Sequence, residues 1–149
     1  MISEWNEVNS REDIDYLLGE YMGFHDSCLT ELSYKSGAGV RNDNFMSFGK
    51  AEQRELHIIF NSQWKKEPLE LCFIGVRKYC IAGWQENYFC DIYDCHLSVR
   101  SDLIVGKDEP IIVWADNIDF DPKSVTETDL LREPMDSYVF ADKLKWRFI

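Results

Sequence analysis

The hydrophobic pattern changes period once near the start of the chain, at Gly23, and this change limits the folds that the sequence can adopt. Before Gly23 the spacing is helical, and the apolar side chains on one face are Ile14, Leu17, Leu18, Tyr21 and Met22. We predict an amphipathic helix from about residue 11 to 22, capped by Ser10 or by Asn9 before it. Gly23 can end this helix in a left-handed conformation.

After Gly23 the alternation has period 2, which is typical of β-strands. The segments with this pattern, or with a run of β-forming residues, are about 26–34, 55–62, 69–83, 88–106, 110–116 and 137–149. Turn-forming residues separate the first two segments, and we interpret the second and third as a hairpin with Pro68 at a strand entrance. Residues 121–134 have room for one short helical turn between Pro122 and Pro134.

The order of these elements predicts an α+β fold, in which one N-terminal amphipathic helix packs on a curved, mainly antiparallel β-sheet of about six to eight strands. The 149 residues, 45% apolar and 29% charged, predict a single globular domain from residue 1 to 149. No stretch approaches the roughly 18 apolar residues of a membrane span, so we expect a soluble, cytoplasmic protein. The five cysteines are odd in number and lie mostly in apolar runs, which favours reduced thiols over a disulfide framework.

The formal charge of −11 is distributed unevenly along the chain. Residues 1–34 hold eight acids and one base, and residues 86–136 hold thirteen acids and four bases, whereas residues 35–85 hold five acids and eight bases. Such a field repels nucleic acid and anionic membranes and accelerates encounter with a basic protein. We therefore expect a protein partner, and neither nucleic acid nor membrane. Solubility alone is the competing explanation for the charge.

His25 and Asp26 follow the predicted helix and are the first candidate site. An aspartate can orient an imidazole for acid/base catalysis, which makes the pair a candidate catalytic dyad. However, adjacent residues of an extended chain point to opposite faces, and in the competing interpretation Asp26 and Ser27 bond backbone groups after the helix. The histidine–aspartate phosphohydrolases are excluded, because they are helical enzymes that use several further histidines, and this chain adds only His57 and His96.

Metal binding has weaker support in the sequence. Cys90, Cys95 and His96, with Cys72 or Cys80, are candidate zinc ligands, but four residues separate the first two instead of the two typical of a zinc knuckle. The acidic stretch at 116–121 lacks the glycine and the alternating oxygen ligands of a calcium loop. We therefore expect no metal and no other cofactor.

Trp64 is the candidate anchor for a protein partner, since tryptophan is enriched at the centres of interfaces. Asp116, Asp119 and Asp121 are the candidate acidic contacts, because they lie in the acidic block 86–136.

Three strings give the chain a family likeness: "FHDS" at 24–27, "ELSY" at 31–34 and "ADKLKWRF" at 141–148. With them the sequence resembles small acidic bacterial proteins of uncharacterised families, some of which are assigned as immunity proteins of polymorphic toxin systems. The resemblance implies a non-catalytic module that neutralises a basic toxin domain through an acidic surface. Two alternatives remain open. One is a small enzyme or ligand-binding protein with its site around His25 and Asp26, and the other is a homo-oligomeric structural protein, such as a homodimer.

Overall fold

The computed structural model describes residues 3–86, 89–125 and 136–149. One α-helix packs against a mainly antiparallel sheet of seven strands, which confirms the predicted α+β class. The elements are β1 (Asn6–Val8), α1 (Arg11–Glu20), β2 (Ser27–Lys35), β3 (Gly39–Val40), β4 (Met46–Ser47), β5 (Glu55–Ser62), β6 (Leu69–Cys80), β7 (His96–Arg100), β8 (Ile111–Ala115) and β9 (Tyr138–Phe148). Strands β3 and β4 form a separate two-stranded sheet.

Helix α1 begins at a side-chain cap and ends two residues earlier than predicted. The Ser10 hydroxyl accepts a hydrogen bond from the Asp13 amide at 3.2 Å, and the Asp13 carboxylate accepts one from the Asn9 amide at 2.8 Å. This reciprocal arrangement satisfies amide groups that have no partner inside the helix. Met22 was expected on the buried helical face, but it lies beyond the helix and is exposed, because the chain turns away after Tyr21.

The main sheet has the strand order β2-β5-β6-β9-β8-β7, and β1 pairs with β9 beyond the end of β8. The hairpin predicted for 55–62 and 69–83 is present as β5 and β6. Strand β1 was not predicted, because three residues are too few to show an alternating pattern.

Two layers of apolar side chains cover the sheet. The larger core lies between α1 and one sheet face and includes the alternate residues Leu56, Ile58 and Phe60 of β5. A smaller cluster covers the opposite face of β8 and β9 and contains Ile111, Val113 and Phe120. Burial on both faces explains why β8 reads as an unbroken apolar run.

The strand predicted over 88–106 is confined to β7, which begins at His96. Among the described residues 89–95, Ile92 makes an isolated bridge with Ser27, and Cys90 has a left-handed φ of +54° that interrupts any strand. The helical turn predicted after Pro122 is present over Pro122–Ser124, and the rest of that segment, 126–135, lies outside the described residues. In the part of the chain that the structure describes, no helix has the length and apolar character needed to cross a membrane.

Candidate functional site

The turn after α1 brings His25 and Asp26 into contact. His25 Nε2 lies 3.4 Å from Asp26 Oδ2. The expectation that these neighbouring side chains point apart is wrong, because Asp26 has a left-handed φ of +56° and leaves the extended conformation.

Left-handed conformation extends over most of this turn. Met22, Gly23 and Phe24 have φ values of +51°, +63° and +67°, so only one of the four left-handed residues between 22 and 26 is glycine. Each non-glycine residue in this region costs on the order of 1 kcal/mol and persists only where surrounding contacts hold it. Phe24 supplies such contacts, because its ring is fully buried 5.1 Å from those of Tyr21 and Phe60.

Backbone hydrogen bonds fasten the same turn to two other segments. The Asp26 amide donates to the Ile92 carbonyl at 2.8 Å, and the Asp26 carbonyl accepts from the Gln63 amide at 3.1 Å. The Cys95 amide donates to the Gly23 carbonyl at 3.0 Å. The turn after α1, the β5–β6 connection and the loop before β7 therefore form one structural unit.

Trp64 belongs to the β5–β6 connection of this unit. Its indole Nε1 donates to Asp26 Oδ2 at 2.7 Å, while 64% of the residue remains exposed. His25 Nδ1 bonds the Tyr93 carbonyl at 2.7 Å, and the two rings meet edge to face with centroids 4.9 Å apart. Tyr93 itself is 75% exposed. We call His25, Asp26, Trp64 and Tyr93 the Trp64 surface.

The charge beside the Trp64 surface is negative. The segments 22–27 and 89–95 contain Asp26, Asp91 and Asp94 and no lysine or arginine, whereas the connection that carries Trp64 contains Lys65, Lys66 and Glu67. Next to Trp64, the Lys65 ammonium lies 3.7 Å from the Glu20 carboxylate and over the ring of Phe148. Lys65 is therefore directed toward the helix end and the sheet.

The predicted acidic contacts lie in the turn that follows β8. Asp116 accepts from the Ser137 amide at 3.0 Å, Asp121 accepts from the Lys123 amide at 3.0 Å, and Asp119 is exposed. Asp116 also lines a cavity of about 170 Å³ with Ile92, which belongs to the loop that carries Tyr93. The predicted residues Trp64 and Asp26 are thus in contact. Asp116 and Asp121 instead accept hydrogen bonds from backbone amides.

The three cysteine and histidine candidates point to different surroundings. Cys90 lines the same cavity as Asp116, and Cys95 is buried, which raises the pKa of its thiol. His96 Nε2 bonds the Ser98 hydroxyl at 2.7 Å. Within the described ranges, the group of three potential metal ligands whose atoms lie within 4.8 Å of one another consists of Glu55, His57 and Cys72 instead.

This group belongs to a polar cluster on the sheet face opposite α1. His57 lies directly opposite Cys72 across the β5–β6 pair, and Glu70 lies opposite Arg147 across β6–β9. His57 Nδ1 is 2.9 Å from Glu70 Oε1, and Glu70 Oε2 accepts from Arg147 Nε at 2.7 Å. On the other side of the imidazole, Nε2 lies 3.5 Å from Cys72 Sγ and 3.9 Å from Glu55 Oε1.

The charges of this sheet-face cluster fix the tautomer of His57. Burial alone would raise the pKa of Glu70, but hydrogen bonds from His57 and Arg147, with their charges, outweigh it and hold the pKa below its usual value. The ionised Glu70 accepts a hydrogen bond from Nδ1–H, so in the neutral imidazole the Nε2 lone pair faces Cys72 and Glu55. Burial, followed by the Glu55 charge, raises the pKa of Cys72 to about 12.

Cysteine, histidine and glutamate are thus arranged in the order of a nucleophile, a base and an orienting acid. Cys72 is fully buried, however, and its raised pKa keeps it a thiol at neutral pH. A catalytic nucleophile needs an accessible thiolate, so the arrangement does not support nucleophilic catalysis.

This cluster was not predicted from the sequence, although a signal was present. In β5 the apolar Leu56, Ile58 and Phe60 alternate with Glu55 and His57, so the latter two share a face. The pairing of β5 with β6 was predicted, but the register that sets His57 opposite Cys72 depends on the length and shape of the connection.

A second missed feature is the exposed β3–β4 hairpin. Val40, Met46 and Phe48 are 72%, 67% and 74% exposed, and Val40 pairs directly with Met46. The chain is closely packed at Gly37 and Gly49, where it enters and leaves this hairpin, and we call these two positions the hairpin neck. A Cβ at Gly37 would lie 2.6 Å from Gln53 Cβ, and one at Gly49 would lie 2.5 Å from the Gln53 amide oxygen. Both glycines have left-handed φ, so this neck needs glycine on steric and conformational grounds.

Comparison with protein family models, curated proteins and solved structures gives no match to this chain.

Proposed function

We propose that this protein is a non-catalytic binding module and that its Trp64 surface holds a basic protein partner. The observation that carries the proposal is that the Trp64 indole is fixed by Asp26 at 2.7 Å while most of the residue remains exposed. An unfixed surface tryptophan loses side-chain entropy when a partner immobilises it. Trp64 has lost part of that entropy before binding, which favours a role as an interface anchor.

The backbone around Trp64 supports the same conclusion. Met22, Phe24 and Asp26 adopt unfavourable left-handed conformations, and hydrogen bonds from two other segments hold the turn in place. Strain of this kind concentrates where a defined surface is needed for binding or catalysis. A helix that simply ended at Gly23 would require no strained residue, because glycine alone would adopt the left-handed conformation.

Binding is favoured over catalysis because the side chains of the Trp64 surface are engaged with one another. His25 Nδ1 bonds the Tyr93 carbonyl, and Nε2 faces Asp26. A general base needs a ring nitrogen within hydrogen-bonding reach of its substrate. Asp26 in turn receives the Trp64 N–H, so its carboxylate positions an aromatic ring.

Charge selects the class of partner. The net charge is −11, and the three segments that form the Trp64 surface, 22–27, 62–67 and 89–95, hold four acids against the two bases Lys65 and Lys66. A basic protein domain gains from such a surface in both orientation and association rate. Together with the resemblance to immunity proteins, this chemistry supports a bacterial, cytoplasmic immunity protein that neutralises a basic toxin domain.

The experiment is affinity capture from native cells at low salt, carried out in parallel with wild-type protein, Trp64→Ala and Phe48→Ala. Phe48 is a matched control, because it is an exposed aromatic residue of the hairpin. We expect a basic protein in the wild-type and Phe48→Ala samples and its loss from the Trp64→Ala sample. Equal recovery by all three proteins, or no captured protein, would contradict the proposal.

A further inference from the structure

We propose that Glu55, His57 and Cys72 form a zinc site on the sheet face opposite α1. The site is independent of the Trp64 surface, because it shares none of that surface's residues. Of the zinc ligands suggested by the sequence it retains Cys72, but its other two ligands are Glu55 and His57 of the neighbouring strand β5.

The distances between the ligand atoms fit tetrahedral coordination. Cys72 Sγ lies 3.5 Å from His57 Nε2 and 3.7 Å from Glu55 Oε1, and the latter two atoms are 3.9 Å apart. Tetrahedral zinc with ordinary Zn–S, Zn–N and Zn–O bonds places its ligand atoms roughly 3.3 to 3.6 Å from one another. Small side-chain movements are therefore enough to close the site around the ion.

The imidazole is already oriented for a metal. Its Nδ1–H donates to Glu70 at 2.9 Å, so the Nε2 lone pair faces the other two ligands. Metal-bound histidines commonly have this second hydrogen bond to a carboxylate, which fixes the tautomer and increases ligand basicity. Arg147 holds the other oxygen of Glu70 at 2.7 Å, and thereby prevents Glu70 from acting as a free fourth ligand.

The chemistry of the three ligands favours zinc over hard cations. A thiolate and an imidazole suit Zn²⁺, whereas Mg²⁺ and Ca²⁺ prefer sites made of oxygen ligands. Glu55 and a Cys72 thiolate together balance the charge of one divalent ion, and zinc binding displaces the thiol proton. Three protein ligands leave the fourth position for water or for an atom of a bound molecule.

Neighbouring side chains partly cover the fourth coordination position of the zinc site. Trp5 meets the His57 ring edge to face at 6.2 Å, and the Arg147 guanidinium and Lys145 ammonium lie over Trp5 at 4.2 and 4.7 Å. The indole thus holds both cations beside the site. The side chains of Glu55 and His57 are 35% and 31% exposed, which provides a route for the ion.

Titration of the reduced, metal-free protein with Co²⁺ tests the proposal, since cobalt replaces zinc and absorbs light. One equivalent is expected to give a thiolate-to-cobalt charge-transfer band and the strong visible bands of tetrahedral cobalt. One equivalent of Zn²⁺ is then expected to remove them, because zinc binds such sites more tightly than cobalt. Absence of the charge-transfer band from the wild-type protein overturns the proposal without reference to any variant.

Variants then locate the ligand. Cys72→Ser is expected to abolish the charge-transfer band, whereas Cys80→Ser, a matched change on the same strand, is expected to retain it. Glu70→Gln is expected to weaken cobalt affinity about 10- to 100-fold while the band shape stays the same, because a positioning residue changes no ligand. A band that survives in Cys72→Ser but disappears in Cys80→Ser overturns the assignment.

Discussion

The carboxylate of Asp26 accepts the Trp64 indole N–H at 2.7 Å and lies 3.4 Å from His25 Nε2. One side chain thus connects an exposed aromatic ring of the β5–β6 connection to the turn after α1. The backbone of Asp26 bonds the same connection and the loop before β7. Asp26 is therefore the residue on which the shape of the Trp64 surface depends.

Two substitutions of Asp26 test its left-handed backbone and its hydrogen bond to Trp64. Asparagine tolerates a left-handed φ and retains an oxygen that can accept the indole N–H, whereas alanine retains neither property. We expect Asp26→Ala to lower the free energy of unfolding by about 1 to 3 kcal/mol and Asp26→Asn by less than about 1 kcal/mol. Urea unfolding measures the free energy of unfolding of both variants. Equal losses would contradict the expectation that the left-handed backbone and the acceptor oxygen of residue 26 stabilise the fold.

The hairpin neck gives a second prediction about stability. We expect Gly37→Ala to destabilise the fold by more than about 1 kcal/mol, because the added Cβ meets Gln53 and the φ of +75° strains alanine. Gly39→Ala is the matched control, since a Cβ there has no atom within 4 Å. Urea unfolding of the two variants compares them, and an equally small effect of both would contradict the structure of the neck.

His96 gives a prediction about pH. Burial lowers the pKa of His96 from its usual 6.5, and although a hydrogen bond to Ile118 opposes this shift, the nearby Arg100 charge adds to it. The folded state therefore disfavours the protonated form of His96. The contribution of neutral His96 to the free energy of unfolding is fully present above pH 6.5 and is lost as the pH drops below it.

We expect His96→Gln to flatten the loss of stability between about pH 7 and 5, because the titrating group is removed. Urea unfolding of wild type and variant across this range gives the comparison. His25 and His57 are present in both proteins and cancel in the difference. A difference in unfolding free energy that stays constant with pH would contradict the assignment.

The cysteines are expected to differ in reactivity. Burial raises the pKa of Cys72 to about 12 and also raises that of Cys95, and both residues are at most 5% exposed. Alkylation requires an accessible thiolate, so both should stay unmodified in the folded, metal-free protein near pH 8 under conditions that alkylate all five cysteines of the denatured chain. Peptide mass spectrometry identifies the modified positions. Rapid modification of Cys72 in the folded state would show that its strand opens readily.

The sequence predicted those parts of the fold that depend on local pattern. Strand β5 has the predicted bounds of 55–62, and the Ser10 cap is one of the two that were considered, because periodicity and capping chemistry act over a few residues. The left-handed Phe24 was not predicted, since its conformation is held by burial against Phe60, which is distant in sequence.

The sites depend still more on contacts between distant residues. His25, Asp26 and Trp64 were each selected as candidates, but the bond between Asp26 and Trp64 joins residues 38 apart in sequence. Likewise, the alternation in β5 places Glu55 and His57 on one face, and only the register with β6 adds Cys72. Local pattern predicts on which face of a strand a side chain lies, whereas its neighbours on the adjacent strand depend on the pairing register.

The most direct test of the central claim is the dissociation constant between this protein and the partner recovered by capture, measured for wild type, Trp64→Ala and Phe48→Ala by isothermal titration calorimetry. If the Trp64 surface is the binding site, Trp64→Ala should cost at least about 2 kcal/mol, roughly a 30-fold weaker affinity, and Phe48→Ala should leave the affinity nearly unchanged. An unchanged affinity for Trp64→Ala, or an equal loss in both variants, would contradict the account.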